Sequence, residues 1–253
     1  MPKTAVADKT AELRVLRYRP ASDSHPVFAS YRVPYSNDMS LLQALQLIKD
    51  TIDSTLSYRW SCRMAVCGSC GMMINGEPKL ACNTFLRNLA GRAIVIEPLQ
   101  NFPIERDLVV TVGDFVKKIE SIYPYIIPKT PRTIEEGAYL QTPAQLAAYE
   151  SFSDCINCML CYAACPQFGA NLDFIGPGAM ALLQRYNSDS RDDGQRRRLD
   201  LIHGENGVWS CTAVGKCSDV CPKHVDPANA VNQNKTKSAF DFFLRFLRTE
   251  PSS

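Results

Sequence analysis

Cysteine carries the chemistry of this chain. Its eleven cysteines fall into three groups: Cys62-x4-Cys67-x2-Cys70-x11-Cys82, Cys155-x2-Cys158-x2-Cys161-x3-Cys165-Pro166, and Cys211-x5-Cys217-x3-Cys221-Pro222. Thiolates are soft ligands, and spacings this short bring several of them onto one metal centre. Zinc often takes CxxC pairs, holding four Cys or His ligands in a closed tetrahedron. Eleven does not divide by four, and the three histidines, His25, His203 and His224, stand at no finger-like spacing. A zinc reading would strand thiolates. Disulfides are disfavoured by the odd count and by the opening MPKTAVADKT, which is polar and lacks the apolar stretch of a secretory signal. Iron-sulfur clusters can use every cysteine.

The first group has the plant-type ferredoxin spacing, in which a tight loop supplies three thiolates and a later strand the fourth. It predicts a 2Fe-2S cluster on Cys62, Cys67, Cys70 and Cys82. The second group is the bacterial-ferredoxin run, whose last cysteine serves the other cluster of a pair. The third group fits the same template if its second cysteine is replaced by Val214, which has no thiolate to give. Exchanging the last ligands leaves one complete set, Cys155, Cys158, Cys161 and Cys221, for 4Fe-4S. It leaves one set of three, Cys165, Cys211 and Cys217, for 3Fe-4S. Val214 can at the same time be an ordinary core valine.

The elements that must position these ligands show in the periodicity. Glu12–Tyr18 and, more weakly, Phe28–Tyr35 alternate as half-buried strands do. Ser40 reads as an N-cap with Gln43 in capping-box register ahead of Leu41, Leu45 and Ile48. Met72–Ile74 and Lys79–Cys82 flank Asn75-Gly76, a hairpin signal, because both residues tolerate positive φ. Gly68 and Gly71 leave room for the backbone to approach the first cluster. Ala93–Pro98 completes a sheet similar to the β-grasp of plant ferredoxins. Helical stripes follow, first at Phe115, Ile119 and Ile122. Thr142-Pro143 reads as N-cap and N1 of a helix, and the prolines after Cys165 and Cys221 each open the way to a helix. The expected fold class is α+β: a plant-type 2Fe-2S domain over residues 1–112, then a helical, bacterial-ferredoxin-like domain over 113–253.

The whole composition agrees with a two-domain electron carrier of 253 residues with 45% apolar content. A net charge of +2 gives no electrostatic support for a nucleic-acid partner. Arg196-Arg197-Arg198 reads as a solvated helix face. No stretch reaches the about 18 to 20 apolar residues of a membrane span. Phe240, Phe243, Leu244 and Leu247 recur at helical spacing, as in a helix docked in the core or against a partner rather than on a membrane surface. No GxGxxG fingerprint is present, so the chain gives no sign of binding flavin or nicotinamide itself.

The segments SYRWSCRMAVCGSCGMMINGEPKLAC, NFPIERDLVV, CINCMLCYAACPQFG and CTAVGKCSDVCPKHVDP resemble the iron-sulfur subunit of the succinate dehydrogenase and fumarate reductase family. Met64-Ala65-Val66, Gln167-Phe168-Gly169 and Lys223-His224-Val225-Asp226-Pro227 are similar to the bacterial quinol:fumarate reductase branch. The resemblance implies an electron-transfer subunit between quinol and the FAD of a separate flavoprotein subunit, reducing fumarate to succinate. It implies one or two membrane anchor subunits and a peripheral place on the cytoplasmic face of the inner membrane. Quinone contacts would fall to Thr212, Asn232 and Lys235, with menaquinone favoured. Asn232 and Ala213 depart from the Gln and Phe of reductase relatives. The alternatives are the same subunit working as succinate dehydrogenase and a free-standing ferredoxin-like carrier. Arg59 and Arg63 flank the first cysteine loop, either to tune the cluster, to meet the flavoprotein, or as surface ion-pair members.

Overall fold

In the computed structural model, which describes residues 9–89 and 91–247, alternating apolar residues build the first sheet. Strand β1 (Lys9–Arg17) buries Leu13 and Val15, and β2 (Val27–Tyr35), antiparallel to it, buries Tyr31, Val33 and Tyr35. Strand β1 starts before the alternation that marks it and ends short of Tyr18, and β2 starts one residue early. The polar opening up to Asp8 lies outside the described residues. Helix α1 (Leu41–Thr51) starts at the expected capping box: Ser40 N–H donates to Gln43 Oε1 at 2.8 Å, and Gln43 N–H to Ser40 Oγ at 3.3 Å. It lays Leu41, Leu45 and Ile48 on the sheet.

Strands β3 (Gly71–Ile74) and β4 (Glu77–Leu80) form a hairpin through Asn75 and Gly76, with φ of 52° and 80°. The Asn75 side chain also accepts the Val95 N–H at 2.8 Å, which fixes the hairpin against β5 (Ile94–Glu97). The sheet order is β2-β1-β5-β3-β4, with β1 and β5 parallel. This is a β-grasp. Cys82 falls on a 3-10 turn, Ala81–Asn83, after β4 and not on the strand itself.

A half-buried ion-pair network joins β1 to the chain after α1 and to Asp107. Arg17 at the end of β1 reaches Asp53, the Tyr31 hydroxyl at 2.8 Å and Asp107 at 3.1 Å. Asp107 in turn accepts the Tyr18 and Ser57 N–H groups at 3.0 and 2.9 Å. The start of the cysteine loop is thereby tied to the sheet. A two-stranded ribbon, β6 (Ile104–Arg106) and β7 (Val109–Val110), brackets Asp107.

The first compact unit consists of residues up to 113 together with 156–164, and the second of 114–155 and 165 onward. Residues 156–164, which the sequence places in the helical domain, thus cluster with the first unit and carry helix α5 (Leu160–Ala163). The second unit holds α2 (Gly113–Ser121), α3 (Pro143–Ala147), α4 (Glu150–Ser153), α6 (Pro166–Ala170), α7 (Pro177–Asn187), α8 (Gln195–His203), α9 (Lys216–Asp219) and α10 (Pro227–Leu247). Phe115 and Ile122 are buried as their spacing predicts. Thr142 caps α3 with Pro143 at its first position. Helix α7 is buried nearly throughout and packs on α10.

One sequence expectation fails here and two are narrowed. Pro166 opens α6 directly, whereas after Cys221-Pro222 the next helix begins only at Pro227, where Asp226 accepts the Asn229 N–H at 3.0 Å. Phe240 and Phe243 are exposed, which removes the core of this chain and leaves a partner as what their stripe would meet, and the Leu247 side chain lies outside the described residues. Arg198 is not solvated. It is fully buried, paired with Asp192 at 2.6 Å, and donates to the carbonyls of Ile122, Tyr123 and Tyr125 at 3.0, 3.0 and 3.1 Å. The carbonyls turn inward because Tyr123 has a φ of 51°, and the forked guanidinium reaches all three at once. Replacing Arg198 by Met leaves Asp192 charged and three carbonyls bare. The expected cost is about 3–5 kcal/mol, seen as an earlier helical unfolding transition; an unchanged transition would show the network to be dispensable.

Candidate metal centres

The Cys62–Cys70 loop wraps its own amides around sulfur. Arg63, Ala65 and Gly68 have φ of 61°, 57° and 73°, an alternation of hand that turns successive N–H groups to one concave side, as in an anion nest. The N–H groups of Met64 and Val66 lie 3.4 Å from Cys62 Sγ, and that of Cys67 lies 3.3 Å from it. The Ala65 N–H reaches Cys82 Sγ at 3.3 Å and the Cys82 N–H reaches Cys70 Sγ at 3.5 Å. The Ser69 side chain and the Cys62 amide hydrogen-bond Cys67, pulling its thiol down to about 6. Burial and the neighbouring Cys82 and Cys67 push Cys70 up to about 12. A cationic metal core would let all four sulfurs be thiolates.

Gly68 and Gly71 serve a different neighbour from the one their place in the loop suggests. A Cβ on Gly68 would stand 2.8 Å from the Cys158 Cβ and 2.9 Å from the Ile156 carbonyl, and one on Gly71 3.1 Å from Leu160 and 3.2 Å from the Cys158 carbonyl. Glycine lets the first cysteine loop meet the segment 156–164.

The second and third cysteine runs repeat one backbone. Asn157 and Met159 have φ of 52° and 65°, and Ala213 and Gly215 have 59° and 79°. Helix α5 begins directly after Met159 and α9 directly after Gly215. Cys158 sits between the first left-handed pair and Val214 between the second. Valine therefore occupies the backbone position at which the other run presents a thiolate. Val214 is 58% exposed, so it is not the core valine that its type suggests.

Cys165, Cys211 and Cys217 come together in the second unit. Burial, and then the proximity of Cys165 and Cys211, pushes the Cys217 thiol up to about 11, and burial also raises Cys165. Backbone N–H groups again point at sulfur: Phe168 at Cys165 and Ala213 at Cys211, both 3.4 Å. Cys155 and Cys221 pack against the cluster of Phe152, Ala181, Val225 and Ala230. Cys158 and Cys161 lie on the segment that belongs to the first unit. Thiol-only donors with sulfur-directed amides fit iron-sulfur clusters.

Comparison with known proteins agrees. The family model of a 2Fe-2S iron-sulfur cluster binding domain matches residues 12–117, and that of a 4Fe-4S dicluster domain matches residues 151–225. The fumarate reductase iron-sulfur subunit of Haemophilus influenzae is 55% identical over 246 residues, covering 93% of this chain and 96% of that protein. The chain belongs to the family of fumarate reductase and succinate dehydrogenase iron-sulfur subunits. Within this family the succinate dehydrogenase iron-sulfur subunit of Coxiella burnetii is more distant, 34% identical over 88% of this chain and 94% of its own length. A solved chain of the Mycobacterium smegmatis Sdh1 complex in the apo form has the same fold, with a TM-score of 0.80 at 27% identity, covering 98% of this chain and 100% of that one.

Around the third cysteine run of this iron-sulfur subunit, the three residues singled out for a quinone fare differently. Thr212 and Asn232 are exposed. Lys235 is half-buried, with its ammonium donating to the Cys211 carbonyl at 2.8 Å and standing 5.8 Å from the Trp209 ring centre. Trp209 itself donates to Ser238 at 3.0 Å, so α10 grips the approach to Cys211 twice. Trp209 and Ser238 escaped the sequence reading, since nothing in their spacing signals the pairing. Ser69 was missed too, although a hydroxyl between two ligand cysteines is a legible donor. Arg63 stacks on Trp60 at 4.3 Å, and neither it nor Arg59 takes an ion pair among the described residues. Ser69→Ala should lower the 2Fe-2S potential by up to about 40 mV, the worth of a roughly 1 kcal/mol hydrogen bond at 59 mV per tenfold. Redox titration followed by EPR checks this; an unmoved midpoint would remove Ser69 from the set of sulfur donors.

Proposed function

We propose that this chain carries single electrons from quinol, held by membrane anchor subunits, to the FAD of a flavoprotein partner that reduces fumarate to succinate. The reading is supported above all by the identity with a fumarate reductase subunit, 55% against 34% for a succinate dehydrogenase subunit, over nearly the whole chain in both cases. It assigns Cys62, Cys67, Cys70 and Cys82 to 2Fe-2S, Cys155, Cys158, Cys161 and Cys221 to 4Fe-4S, and Cys165, Cys211 and Cys217 to 3Fe-4S. Bound there, the clusters supply one-electron carriers between a quinol and a flavin that each exchange two.

The residues of the chain have their own tasks. The amides that point at Cys62, Cys70, Cys82, Cys165 and Cys211 stabilise negative charge on sulfur and so favour the reduced state. The exposed Met64 and Val66 on the rim of the first loop give a flavoprotein an apolar face close to the first centre. Lys235 spends one N–H on Cys211 and keeps two for a quinone oxygen, where a fixed cation stabilises the charge that develops on electron transfer. Thr212 and Asn232 add exposed polar groups on the same side of the assignment. No helix among the described residues is long and apolar enough to cross a membrane, so attachment to the cytoplasmic membrane face would come through one or two anchor subunits. Menaquinone is the quinone we favour.

Two substitutions test the reading in the assembled complex. Lys235→Ala should lower quinol-linked fumarate reduction about tenfold or more, the worth of one charge-assisted hydrogen bond, while dye-linked fumarate reduction is retained. Equal loss in both assays would remove Lys235 from the quinone site. Because Val214 is largely exposed, Val214→Cys should disturb no core packing and should replace the oxidised-state 3Fe EPR signal with a second 4Fe-4S signal on reduction. A persistent 3Fe signal in the folded variant would break the assignment of residue 214 to the missing corner.

A further inference from the structure

A cleft in the second unit lies away from all three cysteine groups in sequence and brings together side chains that the electron-transfer reading does not use. It has a volume of about 560 Å³, in the range of small-molecule sites, and is bounded by the loop at Lys129, the start of α8 at Arg196, and α10 at Lys237. None of these three cations takes an ion pair among the described residues. Lys237 is the most telling of them. Its ammonium is half-buried, burial depresses its pKa below the usual lysine range, and its one polar contact is with Gln184 Oε1 at 3.5 Å. A desolvated cation with so weak a partner gains most from an incoming anion.

Two carboxylates, Asp193 and Asp241, also line the cleft, and Asp241 already faces the His203 ring at 3.7 Å. A bare anion would be repelled by them, whereas a headgroup that carries hydroxyls beside its anionic centre would donate to them. Apart from the amide of Gln195, the remaining wall is apolar, formed by Leu199, Phe240 and Leu244. Phe242 and Phe243 continue along the same helix into solvent, 73% and 58% exposed. Cations for an anionic group, carboxylates for hydroxyls and an aromatic flank for hydrocarbon describe a single kind of molecule. We propose that this cleft binds the polyol-phosphate headgroup of an anionic phospholipid, with the start of its acyl chains along Phe240 and Leu244.

The cluster assignment and the quinone role of Lys235 do not enter this argument, so the two readings fail separately. The test titrates the full-length, cluster-loaded chain with dihexanoyl-phosphatidylglycerol below its micelle concentration, with glycerol 3-phosphate in a parallel arm. Affinity for the lipid should fall about fivefold for each cation removed in Lys237→Gln and in Arg196→Gln, as for a basic residue at an anionic lipid surface. Arg196 is exposed, so its loss leaves the fold intact even if Lys237→Gln does not, and the visible cluster absorption reports that directly. Arg87→Gln, which removes a surface cation of the first unit, should change nothing. Equal weakening by Arg87→Gln, or undiminished binding by the folded Arg196→Gln chain, would overturn the site. Glycerol 3-phosphate binding as tightly as the lipid would overturn the lipid as its occupant.

Discussion

A buried thiolate is tolerable only where something positive faces it, and this chain is arranged around meeting that demand. Three devices contribute: backbone amides turned toward sulfur by left-handed residues, a hydroxyl at Ser69, and the metal itself. Each left-handed residue such as Arg63, Ala65, Asn157 or Ala213 is held in a sparsely populated conformation at a cost of about 1 kcal/mol or more. Such backbone persists only where the surroundings over-determine it. The β-grasp sheet, the capped helix α1 and the Arg17 network do this for the first loop, and the grip of α10 on Trp209 and Cys211 does it for the third. The regular elements are in this sense scaffolding for three short irregular loops.

The repetition of one loop geometry in the second and third runs shows that one backbone serves both a cysteine and a valine at the same place. The backbone around Val214 retains the alternation that presents Cys158 in the sister run. Only the side chain differs. The side chain at this place can therefore change without refolding the loop, because it faces solvent rather than the interior, where its size would have mattered.

Features set by neighbours in the chain were readable in advance. Ser40 with Gln43, Asn75 with Gly76, Thr142 with Pro143 and the cysteine spacings all declare themselves over a few residues, because capping, positive φ and ligand reach are local requirements. Features set by distant partners were not. Arg198 sits in a run of arginines that reads as a solvated face, and its burial depends on carbonyls more than seventy residues away. The role of Gly68 depends on Cys158 rather than on its own loop. Cys82 still meets the first cysteine loop, through the Ala65 N–H at its sulfur, although the strand stops two residues before it, since reach across the loop needs position and not a particular secondary structure. Trp209 gives no sign of its bond to Ser238, because a single tryptophan has no periodicity.

The membership of residues 156–164 in the first unit has a bearing on how the chain comes to be folded. Synthesis proceeds from the N-terminus, and domains generally fold as they emerge. Here the sheet, α1 and the first cysteine loop are complete by residue 113, yet the segment that covers Gly68 and Gly71, and whose Tyr162 carbonyl accepts the Asn101 side chain at 3.0 Å, is translated only later. The nascent β-grasp must wait with one flank open until the chain has travelled out through α2 and α3 and come back. The order of maturation is thereby written into the path of the chain: its N-terminal module is begun first and cannot be finished before its C-terminal module is under way.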